Sequence, residues 1–364
     1  MRHILLIGDY PPPYGGISVQ VAALRQRLAD AGDTDVQVLD IGERRRERRS
    51  GCLPAHHPLG FATTALRYSR RGFAVHLHTN GHNAKSWVLA LVCASAGLAS
   101  GRRTLVSLGS GKMPQFLATA RAWMRAVARA ALAATGGVIV RNEHARAQLM
   151  AFGVSSAKVV VLPGFYGVSS DEIGRLPYAV GRFRRHHRPL IGAIASSGPE
   201  YGMALLLDAT ARLRVRHPGL GVVLVGPDEL ADGCPRWTLP LGEQARPTLL
   251  AVMQTLDVFV RPTYFDGDAG SVREALALGV RVVASETDSR PQGVWRFPCG
   301  DADALADAID AALARPAPRI DSTSLPALLA LYDRLPLDRA RPAADPAAAT
   351  EAVGRGAGRR LEIG

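Results

Sequence analysis

Short apolar runs alternate with helical patterns along the first 165 residues. The runs at 3–7, 36–39, 75–78, 104–107, 137–140 and 159–162 have the length of buried strands. Between them, residues 19–31 and 85–96 show helical periodicity, and each pattern ends at a glycine, Gly32 or Gly97. This alternation predicts a parallel sheet with helices on both faces.

A second alternation of the same kind follows Pro163 and Gly164. Its predicted strands lie near 190–194, 221–225, 238–241, 258–260 and 281–284, and its predicted helices near 202–216, 246–255, 271–277 and 302–314. We therefore predict two Rossmann-like, doubly wound α/β domains in tandem, at 1–165 and 166–322. A last helix is predicted at 323–335, and the Ala-, Pro-, Gly- and Arg-rich residues 336–364 are predicted to be disordered.

Length and composition are consistent with this arrangement. The chain has 364 residues, of which 47% are hydrophobic, so it is long enough to bury two cores. No apolar run reaches the roughly 20 residues of a membrane span, and the opening run to Gly8 is too short for a signal peptide, which predicts a cytoplasmic protein. The cysteines form no C-x2-C pair, so neither a zinc site nor a disulfide framework is predicted: Cys52, Cys93, Cys234 and Cys299.

The positive charge lies in the N-terminal half. Residues 1–178 carry 22 Lys and Arg against 10 Asp and Glu, which accounts for the whole formal net charge of +12. A helical pattern over 117–132 places Arg121, Arg125 and Arg129 four residues apart, with Trp123 on another face. Such a helix is either a solvated surface helix or a contact for an anionic membrane. The basic residues lack an interleaved aromatic platform, so nucleic-acid binding is not predicted.

Two acids lie close together in the segment 261–285. Asp266 is in a loop of small residues, and Glu274 follows eight positions later, inside the next helical pattern. The small residues let main-chain amides come close to a ligand, and the start of a helix attracts phosphate. A similar device follows the first strand, where the adjacent glycines Gly15 and Gly16 begin a helix.

The third predicted strand ends in His76-Leu-His78-Thr-Asn80. His76 and His78 share one face of the strand, which suits either a metal pair or a hydrogen-bonded histidine at the edge of a cleft. No third ligand lies nearby in sequence, so a metal site is not predicted. His78 and Asn80 are candidates for contact with an acceptor molecule.

The segment from Asp266 to Glu274 resembles the E-x7-E region of the family 4 retaining glycosyltransferases, with Asp in place of the first Glu. The Pro-Pro-x-x-Gly-Gly loop that ends at Gly16 is similar to the family's loop facing the donor diphosphate. The resemblance covers about residues 1–335 and is strongest over 258–310. It implies the GT-B architecture, with two Rossmann-like domains facing a cleft and the helix at 323–335 crossing back onto the N-terminal domain.

The resemblance also implies a reaction. A sugar would pass from a nucleotide diphosphate to an acceptor with retention at the anomeric carbon, without a metal or another cofactor. Asp266 would bind hydroxyls of the donor sugar, and Glu274 would bind the nucleotide ribose. Donor contacts are further implied for a group of loop and basic residues: Gly15, Gly16, Gly267, Asp268, Ala269, Gly270, Ser271, Arg273, Arg261 and Lys112.

Three positions depart from the family pattern. Gly109 lies where many relatives have a histidine, Tyr201 replaces the lysine of a Lys-Gly pair, and Ala195 is near an expected arginine. The diphosphate charge must then be met by other cations, for which Lys112, Arg261, Arg273 and Arg290 are candidates. These departures leave open a non-catalytic relative that binds nucleotide as a scaffold.

A sugar-nucleotide 2-epimerase shares the architecture, but the second domain has few acids and histidines suited to that reaction. We therefore expect a glycosyltransferase of bacterial polysaccharide, glycolipid or secondary-metabolite synthesis. Its acceptor would be a glycan, a lipid-linked sugar or a small molecule. Its expected location is the cytoplasm, with contact to the anionic inner face of the membrane.

Overall fold

The computed structural model describes residues 1–42, 51–54, 57–195, 198–226, 233–287 and 289–334. The last residue of the helix predicted at 323–335 and the tail predicted to be disordered at 336–364 lie outside these residues.

The N-terminal domain is built on seven strands: β1 Arg2–Gly8, β2 Thr34–Asp40, β3 Cys52–Pro54, β4 Ala74–Thr79, β5 Leu105–Leu108, β6 Gly137–Val140 and β7 Val159–Val161. They form one parallel sheet in the order β3-β2-β1-β4-β5-β6-β7. The connecting helices are α1 Gly16–Asp30, α2 Pro58–Arg70, α3 Ala84–Leu98, α4 Met113–Thr119, α5 Ala122–Ala134 and α6 Glu143–Ala151.

The second domain repeats the plan with six strands: β8 Leu190–Ile194, β9 Gly221–Val225, β10 Thr238–Pro240, β11 Val258–Arg261, β12 Arg281–Ser285 and β13 Val294–Phe297. Their order is β10-β9-β8-β11-β12-β13, again all parallel. The helices are α7 Tyr178–His186, α8 Met203–Leu213, α9 Arg246–Met253, α10 Gly270–Ala277, α11 Ala302–Leu313 and α12 Leu325–Arg334.

Both sheets are covered on two faces because successive strand residues point to opposite sides. Leu5 and Ile7 of β1 pack into a core with residues of α2, α3 and α5, whereas Ile4 and Leu6 pack into another with residues of α1 and α12. The second sheet likewise separates a core with α8 and α11 from one with α7, α9 and α10. The prediction of two doubly wound α/β domains is confirmed.

Helix α12 lies on the N-terminal domain although it follows the second domain in sequence. Its buried residues Leu328 and Tyr332 belong to the same core as Ile4 and Leu6. Arg2 donates from Nε and Nη2 to the two carboxylate oxygens of Asp333, at 2.7 and 2.9 Å. The described C-terminal residues therefore join the two domains a second time, after the linker.

The helix predicted over 117–132 is two helices in the structure. Ala120 and Arg121 have extended ψ angles of 145° and 151°, so α4 ends and Arg121 lies before the first turn of α5. Arg125 and Arg129 remain on one face of α5, and their guanidinium groups lie 5.9 and 4.7 Å from the centroid of the Phe152 ring. The pattern also missed the short edge strand β3, the strand β13 and the helices α2, α6 and α7.

Candidate active site

The carboxyl ends of the two sheets meet through their loops. Asn142, after β6, donates from Nδ2 to the carbonyl oxygen of Gly267 in the loop after β11, at 3.0 Å. The main-chain N–H of Tyr14, after β1, donates to Oε1 of Glu243 in the loop after β10, at 3.2 Å. In open parallel sheets, ligands bind beyond the carboxyl ends of the strands, so these contacts locate the candidate site between the domains.

Glycines allow the closest approach between the domains. A Cβ atom on Gly267 would lie 3.1 Å from the carbonyl oxygen of Gly109 and 3.2 Å from the nitrogen of Gly111. A Cβ atom on Gly109 would lie 3.4 Å from Cγ1 of Ile17 in α1. Gly109 thus lies between the start of α1 and the loop that carries Asp266. A side chain at Gly267 would push the two loops apart.

Two helices start at this junction with a glycine. Gly16 begins α1 and Gly270 begins α10, and a Cβ atom on either would meet no heavy atom within 4 Å. Gly15 precedes α1, and its N–H donates to Oγ of Ser18 at 2.8 Å. Helix N-termini carry a partial positive charge and free N–H groups, so both starts suit a phosphate.

Asp266 is held through one of its two oxygens. Oδ2 accepts hydrogen bonds from Nη1 of Arg290 at 2.8 Å, Nε of Arg261 at 3.3 Å and Oγ1 of Thr263 at 3.4 Å. The described residues provide no hydrogen bond to Oδ1, which is not among the fully buried unpartnered atoms and so keeps contact with solvent. The side chain as a whole is 9% exposed.

Glu274 is held in the same way but by a different chain of contacts. Its Oε1 accepts from Nε of Arg246 at 2.7 Å, and in the described part of the chain nothing donates to Oε2. Burial raises the pKa of Glu274, and the positive charge of Arg246 opposes that rise. One carboxylate oxygen of each predicted acid is therefore fixed by an arginine, and the other accepts no hydrogen bond from the described residues.

Arg246 connects Glu274 to the join between the domains. Its Nη1 donates to Oε1 of Glu172 at 3.0 Å, and Oε2 of Glu172 accepts from Nη2 of Arg27 in α1 at 2.5 Å. Arg27 also donates from Nε to the carbonyl oxygen of Tyr166 at 3.2 Å. All four side chains of this Arg27–Glu172–Arg246–Glu274 network of ion pairs are largely shielded from solvent. The network spans both domains and the linker.

Asp268 and Arg273 bind each other instead of facing the junction. Nε of Arg273 donates to both oxygens of Asp268, at 2.8 and 3.0 Å, and Nη1 donates to Oγ of Ser322 at 2.7 Å. Both residues are buried, and burial raises the pKa of Asp268. This pair fixes the loop from within the second domain, so the geometry does not offer Arg273 to a diphosphate as an unpaired cation.

Lys112 reaches across the junction from the N-terminal domain. Its Nζ lies 3.9 Å from Oε1 of Glu200, which precedes Tyr201 and Gly202, and both side chains are exposed. Arg261 lies on the other side of Tyr201, with its guanidinium carbon 5.8 Å from the ring centroid. Two cations therefore flank the position where relatives have a Lys-Gly pair.

The structure does not bring His78 to the junction. Its side chain is within the N-terminal sheet, the residue is 1% exposed, and burial holds the pKa of His78 well below its usual range. His76 beside it bonds Tyr332 OH through Nδ1 at 2.5 Å and Ser107 Oγ through Nε2 at 2.8 Å. Contact of an acceptor with the His78 ring is thus blocked by the helices α1 and α12, which cover this face of the sheet. Asn80, at the end of β4, is partly exposed.

Sequence reasoning missed Arg246, Glu172, Arg27 and Asn142. Their partners lie far away along the chain, so no local motif marks them. Arg290 was noted only as a cation. The described residues contain no group of three His, Cys, Asp or Glu side chains arranged to hold a metal, and no described helix is long and apolar enough to cross a bilayer.

Comparison with known proteins gives the second domain a family. Residues 188–315 match the family described as glycosyl transferases group 1. Over 353 residues the chain is 27% identical to the GDP-mannose-dependent α-(1-6)-phosphatidylinositol monomannoside mannosyltransferase of Mycolicibacterium smegmatis. The alignment covers 86% of this chain and 89% of that protein.

Solved structures resemble the chain over most of its length. Sucrose-phosphate synthase from Thermosynechococcus elongatus is 20% identical, covers 91% of this chain and 95% of its own, and gives a TM-score of 0.62. Anabaena HepE in complex with UDP and glucose is 16% identical, covers 93% of this chain and 96% of its own, and gives a TM-score of 0.64. The architecture is thus GT-B, residues 188–315 are a group 1 glycosyl transferase domain, and the chain is a glycosyltransferase.

Proposed function

We propose that this chain is a retaining glycosyltransferase of the family 4 type, which moves a sugar from a nucleotide diphosphate to an acceptor. The arrangement of the two acids carries the proposal. Asp266 and Glu274 each have one oxygen fixed by arginine and one without a hydrogen-bond donor among the described residues, and α10, which starts with Gly270 in open space, begins between them. Fixed acceptors of this kind suit the hydroxyl groups of a sugar and a ribose.

Each part of the donor has a matching group in this proposal. The diphosphate binds the N-termini of α1 and α10, and Lys112 leaves Glu200 to add a positive charge. Oδ1 of Asp266 accepts from hydroxyls of the donor sugar, and Oε2 of Glu274 accepts from the ribose. The leaving phosphate takes the acceptor proton, so the protein contributes positioning and charge stabilisation, and the reaction needs no metal.

The donor is best identified by binding. The relative from M. smegmatis is named for GDP-mannose, and HepE has been solved with UDP-glucose, so both bases belong in the test. We expect the melting temperature of the purified protein to rise with one of UDP, GDP, dTDP or ADP and with a sugar conjugate of it, equally in EDTA and in Mg²⁺. No rise with any of them would contradict the proposal.

Product analysis separates the remaining alternatives. Incubation with the bound nucleotide sugar should yield the free nucleoside diphosphate, and the anomeric configuration of the transferred sugar should match that of the donor. An epimerised sugar would indicate the 2-epimerase instead. Binding without turnover, with glycan, lipid-linked and small-molecule acceptors all present, would indicate a nucleotide-binding scaffold.

An exposed apolar face supports the proposal that the acceptor lies at an anionic lipid surface. Helices α3 and α5 pack side by side, and Val88 in the first half of α3 and Trp123 at the start of α5 are 47% and 58% exposed. Helix α3 carries no charged residue after Lys85, whereas Arg121 and Arg129 are exposed at α5. Apolar side chains beside arginines suit the interface of an anionic bilayer. In this proposal, the enzyme acts at the inner face of the membrane.

Vesicle sedimentation tests this surface. The protein should sediment with vesicles containing phosphatidylglycerol and much less with pure phosphatidylcholine, and Trp123→Ser with Arg129→Gln should abolish the difference. Val215→Ser, which changes an exposed apolar residue of the second domain, is the matched control. Equal sedimentation of the wild type with both kinds of vesicle would contradict the proposed surface.

A further inference from the structure

Arg290 is an arginine whose whole guanidinium group is used inside the protein. Its side chain is 1% exposed. Nε donates to the carbonyl oxygen of Ser285 at 2.9 Å, and Nη2 donates to Oγ of Ser285 at 3.2 Å and to Oγ1 of Thr263 at 3.3 Å. Nη1 donates to Oδ2 of Asp266 at 2.8 Å. Three nitrogens of a rigid planar group are thus anchored at the base of the Asp266 loop.

These contacts determine how the Asp266 carboxylate is turned. Arg290 approaches Oδ2 from the buried side, and Arg261 and Thr263 contact the same oxygen. Because three donors hold Oδ2 and the main chain holds Cβ, the carboxylate has little freedom to rotate, which restricts the position of its second oxygen. Oδ1, the oxygen left accessible, is therefore presented in one direction.

We propose that Arg290 is the positioning residue for recognition of the donor sugar, acting through Asp266, and that it does not bind the diphosphate. The proposal rests on the proposed function, because it assigns the sugar to Oδ1 of Asp266. It corrects the view of Arg290 as one of the cations that meet the diphosphate charge.

The charges support this division of roles. A buried guanidinium needs a paired carboxylate, and within the described residues Asp266 is the carboxylate that Arg290 contacts. Turning Arg290 toward a phosphate would break four hydrogen bonds and leave Asp266 with only Arg261 and Thr263 as donors. Lys112 and the starts of α1 and α10 are already at the surface of the junction, so they meet a phosphate without such a loss.

The short side chain of Asp266 matches the distance from the loop to the buried guanidinium group of Arg290. Asp266 reaches the guanidinium with a short side chain, whereas a glutamate at the same Cα would extend its carboxylate by roughly one C–C bond, about 1.5 Å. An aspartate in this loop is thus matched to an arginine beneath it. The matched pair explains how the shorter acid keeps a defined orientation.

Calorimetric titration separates sugar recognition from diphosphate recognition. The probes are UDP with UDP-glucose and GDP with GDP-mannose, titrated into the full chain. For Arg290→Met we expect the affinity for the nucleoside diphosphate to stay within about twofold of the wild type. The extra affinity that the sugar adds should fall about tenfold, as for loss of one hydrogen bond to a charged group.

Two further variants protect the test against misfolding of Arg290→Met. Thr263→Val removes one contact of Arg290 and one of Asp266 at nearly constant volume, and should reduce the sugar contribution in the same direction but less. The double variant Arg290→Met with Asp266→Asn should lose no more than Asp266→Asn alone, because both changes remove one unit. Arg281→Met is the matched control, since Arg281 on β12 donates to the main-chain carbonyls of Arg315 and Asp257.

The outcomes distinguish this inference from the proposed function. A tenfold loss of affinity for UDP or GDP itself in Arg290→Met, with normal melting of the variant, would make Arg290 a diphosphate ligand and overturn the inference alone. Unchanged affinity for the sugar conjugates in both Arg290→Met and Thr263→Val would also overturn it. A wild type that binds none of UDP, GDP, dTDP and ADP, nor any of their sugar conjugates, would overturn both proposals together.

Discussion

Asp266 and Glu274 lie eight positions apart, yet the structure supports them in opposite ways. Every hydrogen bond to the Asp266 carboxylate comes from the second domain, through Thr263, Arg261 and Arg290. Glu274 depends on Arg246, which continues through Glu172 of the linker region to Arg27 in α1 of the N-terminal domain. One acid is fixed locally, and the other is coupled to the relative position of the domains.

This difference shows which contacts determine the orientation of each carboxylate. The donors that orient the Asp266 carboxylate all lie in the second domain, so a domain motion would not break them, although it would affect the contact of the neighbouring Gly267 with Asn142. The Glu274 carboxylate is held by an arginine that is shared with the join. A motion at the linker would therefore reach the proposed ribose contact before it reaches the proposed sugar contact.

The largest effect should follow from breaking the join. Glu172→Gln leaves the guanidinium groups of Arg27 and Arg246 without their shared carboxylate, so we expect a loss of about 3 kcal/mol in stability, seen as a lower melting temperature in calorimetry. Nucleotide affinity should fall as well. Glu143→Gln, in an exposed pair with Arg146, is the control and should change little. An unaltered melting temperature in Glu172→Gln would contradict the proposed coupling between Glu274 and the N-terminal domain.

Asp266→Asn should leave the join intact and act on transfer. Asparagine keeps the shape but loses the charge that strengthens the bond to a sugar hydroxyl, so kcat/KM should fall about 100-fold. Affinity for UDP or GDP should remain within about twofold. Asp303→Asn, in an exposed pair with Arg212, is the matched control. Equal losses in transfer and in nucleoside diphosphate affinity would show that the two acids do not have separate roles.

Glu274→Gln should show the reverse. Loss of the charged acceptor should weaken the binding of UDP or GDP about tenfold, with or without an attached sugar. Because burial raises the pKa of Glu274, wild-type nucleotide affinity should also fall as the pH drops through that raised pKa, and the variant should lack this dependence. A pH profile shared by both proteins would argue against Glu274 as the ribose acceptor.

The sequence predicted the fold because strands and helices leave local, periodic traces. The predicted strands at 137–140, 190–194 and 221–225 match β6, β8 and β9 residue for residue. The acids and the glycine-led helices were also visible, because each lies within one short motif. The supports of the acids were not, since Arg246 and Glu172 are 74 residues apart and nothing local pairs them.

His78 shows the opposite limit. Its place at the end of a strand made contact with an acceptor reasonable, but strand position does not say which face of a sheet a helix covers. In the structure Val21 of α1 and Tyr332 of α12 belong to the core on that face, and His76 bonds Tyr332 directly. Burial of this pair follows from the return of α12, a contact across 256 residues of sequence.

The smallest predicted effect concerns the second connection between the domains, where α12 packs on the N-terminal domain. Burial, with Arg141 nearby, lowers the pKa of His76 to about 3 and that of His78 well below its usual range. Both stay neutral in the folded protein while they take up protons in the unfolded chain below their ordinary pKa of 6.5. Stability is thus lost as the pH falls below 6.5, by about 0.8 kcal/mol per histidine at pH 6.0.

His78→Phe removes one of the two contributions, so its stability should fall less than that of the wild type between pH 7.5 and pH 6.0. Glu274 and Asp268 have raised pKa values and act in the opposite direction, but they are present in both proteins and cancel in the difference. His144→Gln, at an exposed histidine of α6, should behave like the wild type. If His78→Phe loses as much stability as the wild type over this pH range, the His78 ring of the wild type must gain a proton in the folded state. The contact of α12 with the N-terminal domain would then have to open near neutral pH.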